Sequence, residues 1–390
     1  MRKAKRIAAI PPYVFAQMDK RKKELIAKGV DVIALGIGDP DLPTPEWVVE
    51  DMGRAIQKPP YYRYPDYEGA AFYRKAMADW YRHRFDVELD PANEVVALVG
   101  SKEGLAHLIW AFVDPGDTVL IPDPAYPVYR THTLLTGGDP YMMPLLPENG
   151  FLPDFDAIPE DTRRRAKILF LNYPNNPTAA VADLDFFRRA VDFAKRCDLL
   201  ICHDNAYAEM TYDGFRAPSI LEVDGAKDVA IETYSFSKPF NMTGWRIAAA
   251  VGNAEAVAAL GIIKTNTDSG QYTAIQEAAA SAFDHDPEAF FAKMNRVYKG
   301  RRDVFVDGMN ALGWEMEKPR GTFYVWVPVP QGQTSGGFAQ VCLEKAGVVV
   351  TPGAAYGPNG EGFVRVALTV DEKRLREAVD RLAKAGVRYR

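Results

Sequence analysis

Ser235-Phe236-Ser237-Lys238-Pro239-Phe240-Asn241-Met242-Thr243-Gly244-Trp245-Arg246 is the stretch from which the rest of the chain can be read. The apolar run at 229–231 precedes it and reads as a buried strand. Pro239 and Gly244 break any regular element, so the stretch forms a loop at that strand's end. A lysine on such a loop can form a Schiff base with a carbonyl. Ser235, Ser237 and Arg246 can hold an anion beside it, and a guanidinium suits phosphate because its fork donates two parallel bonds. Any single loop lysine is more simply read as solvated. The run as a whole instead asks for a small molecule carrying both an aldehyde and a phosphate, which describes pyridoxal 5′-phosphate.

The flanking chain supplies a frame for that loop. Apolar runs at 95–99, 118–121, 168–171, 199–202 and 247–251 read as buried strands. Helical patterns at 44–58, 70–85 and 184–195 fall among them, and another follows the glycine turn Gly100-Ser101-Lys102-Glu103-Gly104. This alternation predicts an α/β fold, a mostly parallel sheet covered by helices on both sides. Polar residues gather after the strands, where open α/β sheets bind ligands. After about residue 284 the pattern changes to a long helix at 287–312, strands at 321–327 and 363–368, and a last helix at 371–385. We therefore expect residues 46–285 to form a large cofactor-binding domain and 286–390 a smaller α+β domain, joined by the N-terminal segment 1–45. That segment holds a helix ending near Lys28 and a strand at 32–35 that runs into Gly36-Ile37-Gly38-Asp39-Pro40-Asp41.

Composition excludes several other classes. With 47% hydrophobic and 25% charged residues, the chain is an ordinary globular protein of 390 residues. A net charge of −5 leaves no footprint for nucleic acid or an anionic membrane. The basic start, Arg2-Lys3-Ala4-Lys5-Arg6, lacks a signal-peptide core, and no apolar run approaches a membrane span. Cys197, Cys202 and Cys342 form neither a CxxC pair nor a disulfide framework, which suggests a reducing cytoplasm. The five histidines show no metal-ligand spacing, so no metal is expected.

Each part that pyridoxal phosphate chemistry needs has a candidate. Lys238 is the expected catalytic residue, joined to the cofactor and later shuttling a proton. The turn at Gly100, with Ser101 and Lys102 opening a helix, makes a phosphate cradle because free N–H groups and the dipole favour an anion. Asp204, after the strand at 199–202, would pair with the pyridine nitrogen; the alternative is a turn-capping aspartate. Asn176 and Tyr207 would bond the ring's phenolic oxygen, and Tyr126 would stack on its face. Arg365 sits in an alternating strand between Phe363 and Ala367 on the same face. An arginine on an apolar face needs a partner, either a substrate α-carboxylate or a structural ion pair.

In order, these motifs resemble those of class I/II aminotransferases of fold type I over nearly the whole chain. The lysine signature is Ser-x-Ser-Lys followed by Gly244-Trp245-Arg246; Asn176-Pro177-Thr178 and Asp204 with Tyr207 accompany it. The resemblance implies an aspartate aminotransferase-like fold, pyridoxal phosphate, ping-pong amino transfer between an amino acid and a 2-oxo acid, and a homodimer with shared active sites. In it Tyr64 reaches the phosphate of the partner subunit, and Gly38, Asn176 and Arg365 bind substrate. The family's usual glycine after Asn-Pro-Thr is Ala179 here; if that position has φ > 0, alanine costs about 1 kcal/mol. Gly100 to Gly104 and Asn266-Thr267-Asp268-Ser269-Gly270-Gln271-Tyr272 are similar to the LL-diaminopimelate aminotransferases of lysine biosynthesis, as are Pro11-Pro12-Tyr13 and residues 35–40. In the plant-type branch an acidic residue reads the substrate's distal end; Tyr67 stands there, flanked by Asp66 and Glu68. The expected activity is amino transfer between LL-diaminopimelate and 2-oxoglutarate. Transaminases for alanine, aspartate or aromatic amino acids, and a lyase on the same fold, remain alternatives.

Overall fold

A computed structural model describes residues 2–8, 10 and 14–389; Pro11, Pro12 and Tyr13 lie outside the described residues. Helix Val14–Ala27 leads to a two-residue strand, β1 (Ile33–Ala34). The central sheet follows: β2 (Val95–Leu98), β3 (Thr118–Asp123), β4 (Asp139–Pro144), β5 (Ala166–Leu171), β6 (Leu200–Asp204), β7 (Ala230–Ser235) and β8 (Ala248–Gly252). Its spatial order is β2-β8-β7-β6-β5-β3-β4. Only β8 runs antiparallel to its neighbours. The inner strands β3, β7 and β8 are buried along their whole length, so helices must cover both faces.

One face packs on helix Ala71–Phe85 through Tyr73, Met77 and Tyr81, and on helix Leu184–Cys197 through Phe186, Phe187 and Val191. The latter helix starts where Asp183 caps it by accepting a bond from Phe186 N at 2.8 Å. It ends at Asp198 in the left-handed region, φ 52°. The opposite face packs on Leu105, Leu108 and Ile109 of helix Ser101–Phe112 and on Val257 and Leu260 of helix Ala254–Thr267. These two helices are tied by the buried Lys264 ammonium, 3.1 Å from Glu103 Oε1 and 3.2 Å from Asp268 Oδ1. His107 and these two carboxylates could together ligate a metal. Lys264 already supplies the cation they need.

A three-stranded antiparallel sheet sits on a second apolar core. It is built from β9 (Tyr324–Pro328), β11 (Thr351–Pro352) and β12 (Phe363–Ala367), with β12 central. The separate strand β10 (Val348–Val349) pairs in parallel with β1, Ile33 opposite Val348. Helix Pro287–Ala311 spans both cores, burying Phe291 in the first and Tyr298, Phe305 and Met309 in the second. Pro287 occupies its first turn and Asp286 caps it, accepting from Ala289 N at 2.9 Å.

The predicted strands and helices lie within a few residues of the observed ones. β4 carries no strand signal in the sequence, because Asp139, Pro140 and Pro144 break the apolar pattern at a half-exposed sheet edge. The structure adds helices Val128–Thr136, Thr273–Ser281 and Ser335–Ala346. The alanine expected to need φ > 0 has it: Ala179 has φ 60°, and its N–H bonds Asn175 O at 2.9 Å. Glycine there would relieve about 1 kcal/mol of strain but lose a buried methyl worth about 0.8 kcal/mol. Ala179→Gly is therefore expected to leave the urea midpoint nearly unchanged. Ala179→Val puts a β-branched side chain at positive φ and should cost about 2 kcal/mol or more.

Candidate active site

The carboxyl ends of β5, β6 and β7, the first turn of helix Ser101–Phe112 and the loop at 37–39 open on one cavity of about 590 Å³. Every residue named above as a cofactor or substrate contact lines it except Tyr64, which is 89% exposed.

Lys238 stands in the turn after β7, and its Nζ donates to Gly38 O at 2.8 Å. The amine also lies 5.6 Å from the centre of the Phe323 ring. Burial, with the charges of Arg365 and Arg246, outweighs the pull of Asp39 and lowers its pKa from the ordinary 10.5 to about 8. Gly38 must be glycine because a Cβ there would overlap the Tyr324 hydroxyl.

On the opposite wall Asp204 ends β6. Its Oδ2 accepts from Tyr129 Oη at 2.7 Å and its Oδ1 from Thr233 Oγ1 at 3.2 Å. Burial pushes this carboxyl up, and the Tyr129 bond and the nearby His203 charge pull it back only in part. Asn172 Nδ2 donates to Asp204 O at 2.6 Å and Asn172 Oδ1 accepts from Asn176 N at 2.8 Å, so one side chain sets both loops. Tyr129, Thr233, Asn172 and Tyr324 went unassigned in the sequence. Each acts through another residue of the site.

Tyr207 Oη lies 2.9 Å from Tyr324 Oη. Arg365, 2% exposed, donates from Nη1 to Asn176 Oδ1 at 2.8 Å and from Nη2 to Gly36 O at 2.9 Å. Its guanidinium stacks 4.1 Å from the centre of the Tyr324 ring and 5.0 Å from that of Tyr356. These contacts set the guanidinium in the cavity wall among aromatic faces and carbonyl oxygens.

At the cradle, Gly100 caps the helix with φ 77° and no side-chain bond to its first N–H groups. A Cβ on Gly100 would overlap the Arg246 guanidinium, which is thereby held against the helix start. Ser101 Oγ is buried and has no hydrogen-bond partner among the described residues. Lys102 Nζ lies 5.6 Å from the centre of the Tyr126 ring. An orphaned hydroxyl, an uncapped helix end and a guanidinium fit a phosphate. A lysine and a carboxylate lining the same cavity fit the aldehyde and ring nitrogen of one pyridoxal group. The residues present therefore suit pyridoxal 5′-phosphate.

Comparison with known proteins agrees with this geometry. Residues 30–382 match the family model for aminotransferase class I and II. The chain is 54% identical to the LL-diaminopimelate aminotransferase of Moorella thermoacetica over 98% of each chain. It is 53% identical to that of Gloeobacter violaceus over 100% of each. Among solved structures, substrate-bound BacF of Bacillus subtilis superposes with TM-score 0.97 at 39% identity, covering 100% of this chain and 99% of that one. A mutant aspartate aminotransferase of Thermus thermophilus gives 0.91 at 31% identity, over 99% and 100%. The chain belongs to the class I and II aminotransferase family, with the fold-type I architecture of that family.

Proposed function

We propose that this aminotransferase uses pyridoxal 5′-phosphate to move an amino group between LL-diaminopimelate and 2-oxoglutarate. The observation that carries the chemistry is the partly buried Lys238 amine in the same cavity as Asp204, Arg246 and Arg365. The substrate rests on the relatives at 53–54% identity over nearly the full chain, which are LL-diaminopimelate aminotransferases. The stretches at 100–104 and 266–272 support it too.

When bound, the cofactor supplies an aldehyde that takes the amino group and a ring that draws electron density from Cα. Ser101, Ser235, Ser237 and Arg246 would hold its phosphate, and in a homodimer Tyr64 of the partner subunit would complete that grip. Asp204 would hold the proton on the ring nitrogen, Asn176 and Tyr207 would bond the phenolic oxygen, and Tyr126 would pack beside the ring. Lys102 borders the phosphate cradle. Arg365 grips the α-carboxylate of either substrate through its two Nη atoms, with Asn176 and Gly38 beside it. This fixes Cα near Lys238, whose amine, with a pKa of about 8, both takes and returns the Cα proton near neutral pH.

We assign residues 1–45 and 286–390 to a small domain and 46–285 to the large one, which the pairing of β1 with β10 supports. Among the described residues no helix is long and apolar enough to cross a membrane. The free state of Cys197, Cys202 and Cys342 suits the cytoplasm.

The test is a half-reaction screen. Holoprotein is mixed with single amino donors and loss of the lysine-bound cofactor's visible absorbance is followed. LL-diaminopimelate and glutamate are expected to react fast, and meso-diaminopimelate, alanine, aspartate and tyrosine slowly. Fast reaction with one of those four and none with LL-diaminopimelate would keep the enzyme class and remove the substrate.

A further inference from the structure

The turn at 268–271 takes no part in the chemistry described above, yet it lies between two of the phosphate contacts. Arg246 holds the left-handed backbone conformation, φ 55° and ψ 53°, which an arginine adopts only when its surroundings keep it there. Its side chain is exposed, so the direction of the guanidinium follows from that backbone. The Arg246 carbonyl oxygen accepts a bond from Gln271 Nε2. Gln271 is 6% exposed, and its Oε1 accepts from Tyr272 N at 2.8 Å.

A second glutamine extends the link. Gln276, 0% exposed, donates from Nε2 to Gln271 O at 2.6 Å and accepts at Oε1 from Ala70 N at 2.7 Å. Ala70 closes the loop at 63–70 that carries Tyr64, and it caps helix Ala71–Phe85. The same loop touches the turn directly: a Cβ on Gly270, which has φ 96°, would stand 2.9 Å from Asp66 O. Obligate partners fix both amides. Tyr272 N and Ala70 N can only donate, and the Arg246 and Gln271 carbonyl oxygens only accept, so flipping either side chain breaks two bonds. One chain of hydrogen bonds therefore runs from Arg246 through Gln271 and Gln276 to the Tyr64 loop. An amide withdrawn from water is costly unless its bonds are made, and here every one of these bonds ends on main chain near a phosphate contact.

We propose, on the phosphate roles assigned above to Arg246 and Tyr64, that Gln271 and Gln276 are positioning residues for the cofactor's phosphate. Gln271 fixes the backbone from which Arg246 reaches the cradle of its own subunit. Gln276 ties that lock to the loop that presents Tyr64 to the partner. One pair of side chains thus sets a phosphate contact in each of two active sites. Neither glutamine lines the cavity, so their loss should act on the phosphate and spare the ring.

The test compares two ligands on apoprotein, pyridoxal 5′-phosphate and pyridoxal, which differ only in the phosphate. Each is titrated by the absorbance it gains on joining lysine, and the ratio of the two dissociation constants measures what the phosphate contributes. Gln271→Met keeps the length of the side chain and removes its amide. It is expected to weaken the phosphorylated ligand about tenfold and leave pyridoxal within about twofold. Gln276→Met should reduce the phosphate's contribution as well, and by less in a Tyr64→Phe background, where one contact it serves is already gone. An unchanged ratio, or equal weakening of both ligands, makes the glutamines scaffold and overturns the proposal. Losses that simply add in Gln276→Met with Tyr64→Phe overturn the link to the partner's site. Arg246→Leu checks the underlying assignment: if it leaves the ratio as it is, the phosphate lies elsewhere, and the proposal falls with it. Should Gln276→Met fail to fold, Gln271→Met in the Tyr64→Phe background reads the same coupling.

Discussion

Lys238→Ala is expected to lower turnover by at least about 10⁴-fold with every amino donor, because one residue supplies both the covalent anchor and the proton carrier. A single-turnover experiment with pyridoxal phosphate added in excess should still show substrate binding but almost no conversion. Small exogenous amines should restore part of the rate, since they can carry the proton into a cavity of about 590 Å³ that the shorter side chain leaves open. Undiminished turnover would remove Lys238 from the chemistry.

The same lysine makes an opposite prediction for stability. Its side chain is partly buried, and its pKa falls from 10.5 to about 8 chiefly because the amine is withdrawn from water. The unfolded chain holds this proton up to the ordinary value, whereas the folded apoprotein releases it near pH 8. Between those limits the unfolded state binds more protons, so this group's contribution to stability rises with pH. Below the window the buried charge is a constant penalty of about 3 kcal/mol. Lys238→Met apoprotein should therefore be more stable than the unaltered apoprotein at about pH 7. The advantage should fade as pH climbs through the window. Urea unfolding at several pH values measures it. A lysine selected for stability alone would show the reverse, so the pattern separates a functional amine from a structural one.

The central sheet was legible because its strands are buried on both faces and read as short apolar runs between amphipathic helices. β4 was not, because an edge strand needs no apolar continuity. The residues that line the cavity were legible because they cluster at strand ends in Pro- and Gly-marked loops. The residues that orient them were not. Tyr129 reaches Asp204 from helix Val128–Thr136, across 75 positions of sequence, and Tyr324 reaches Tyr207 across 117. Such pairs are set by packing, and no local spacing announces them. Arg365 lies between these cases: the misfit of its charge with Phe363 and Ala367 marked it, but its acceptors Asn176 and Gly36 appear only in three dimensions.

Arg365→Leu is expected to lower kcat/KM by about 10³-fold, or about 4 kcal/mol, for amino donor and 2-oxo acceptor alike. The even loss is the signature. Every substrate of a transaminase carries the same α-carboxylate, so removing its partner costs all of them equally, whereas a distal-group residue would alter their ratios. Arg365→Lys keeps the charge but loses the planar fork and should recover only part of the loss. If Arg365 were purely structural, its loss would act on folding. It would leave Asn176 Oδ1 without its donor, at about 1–3 kcal/mol of stability for an acceptor stranded in the interior, while Gly36 O keeps its bond from Thr351 Oγ1. Both effects are expected here, and they separate by measurement. Cofactor absorbance and the unfolding midpoint report the fold, while inhibition by a simple dicarboxylate reports the carboxylate site. Intact kcat/KM in an Arg365→Leu variant that still binds cofactor would assign the guanidinium to the scaffold and leave the α-carboxylate to another cation lining the cavity, such as Lys102.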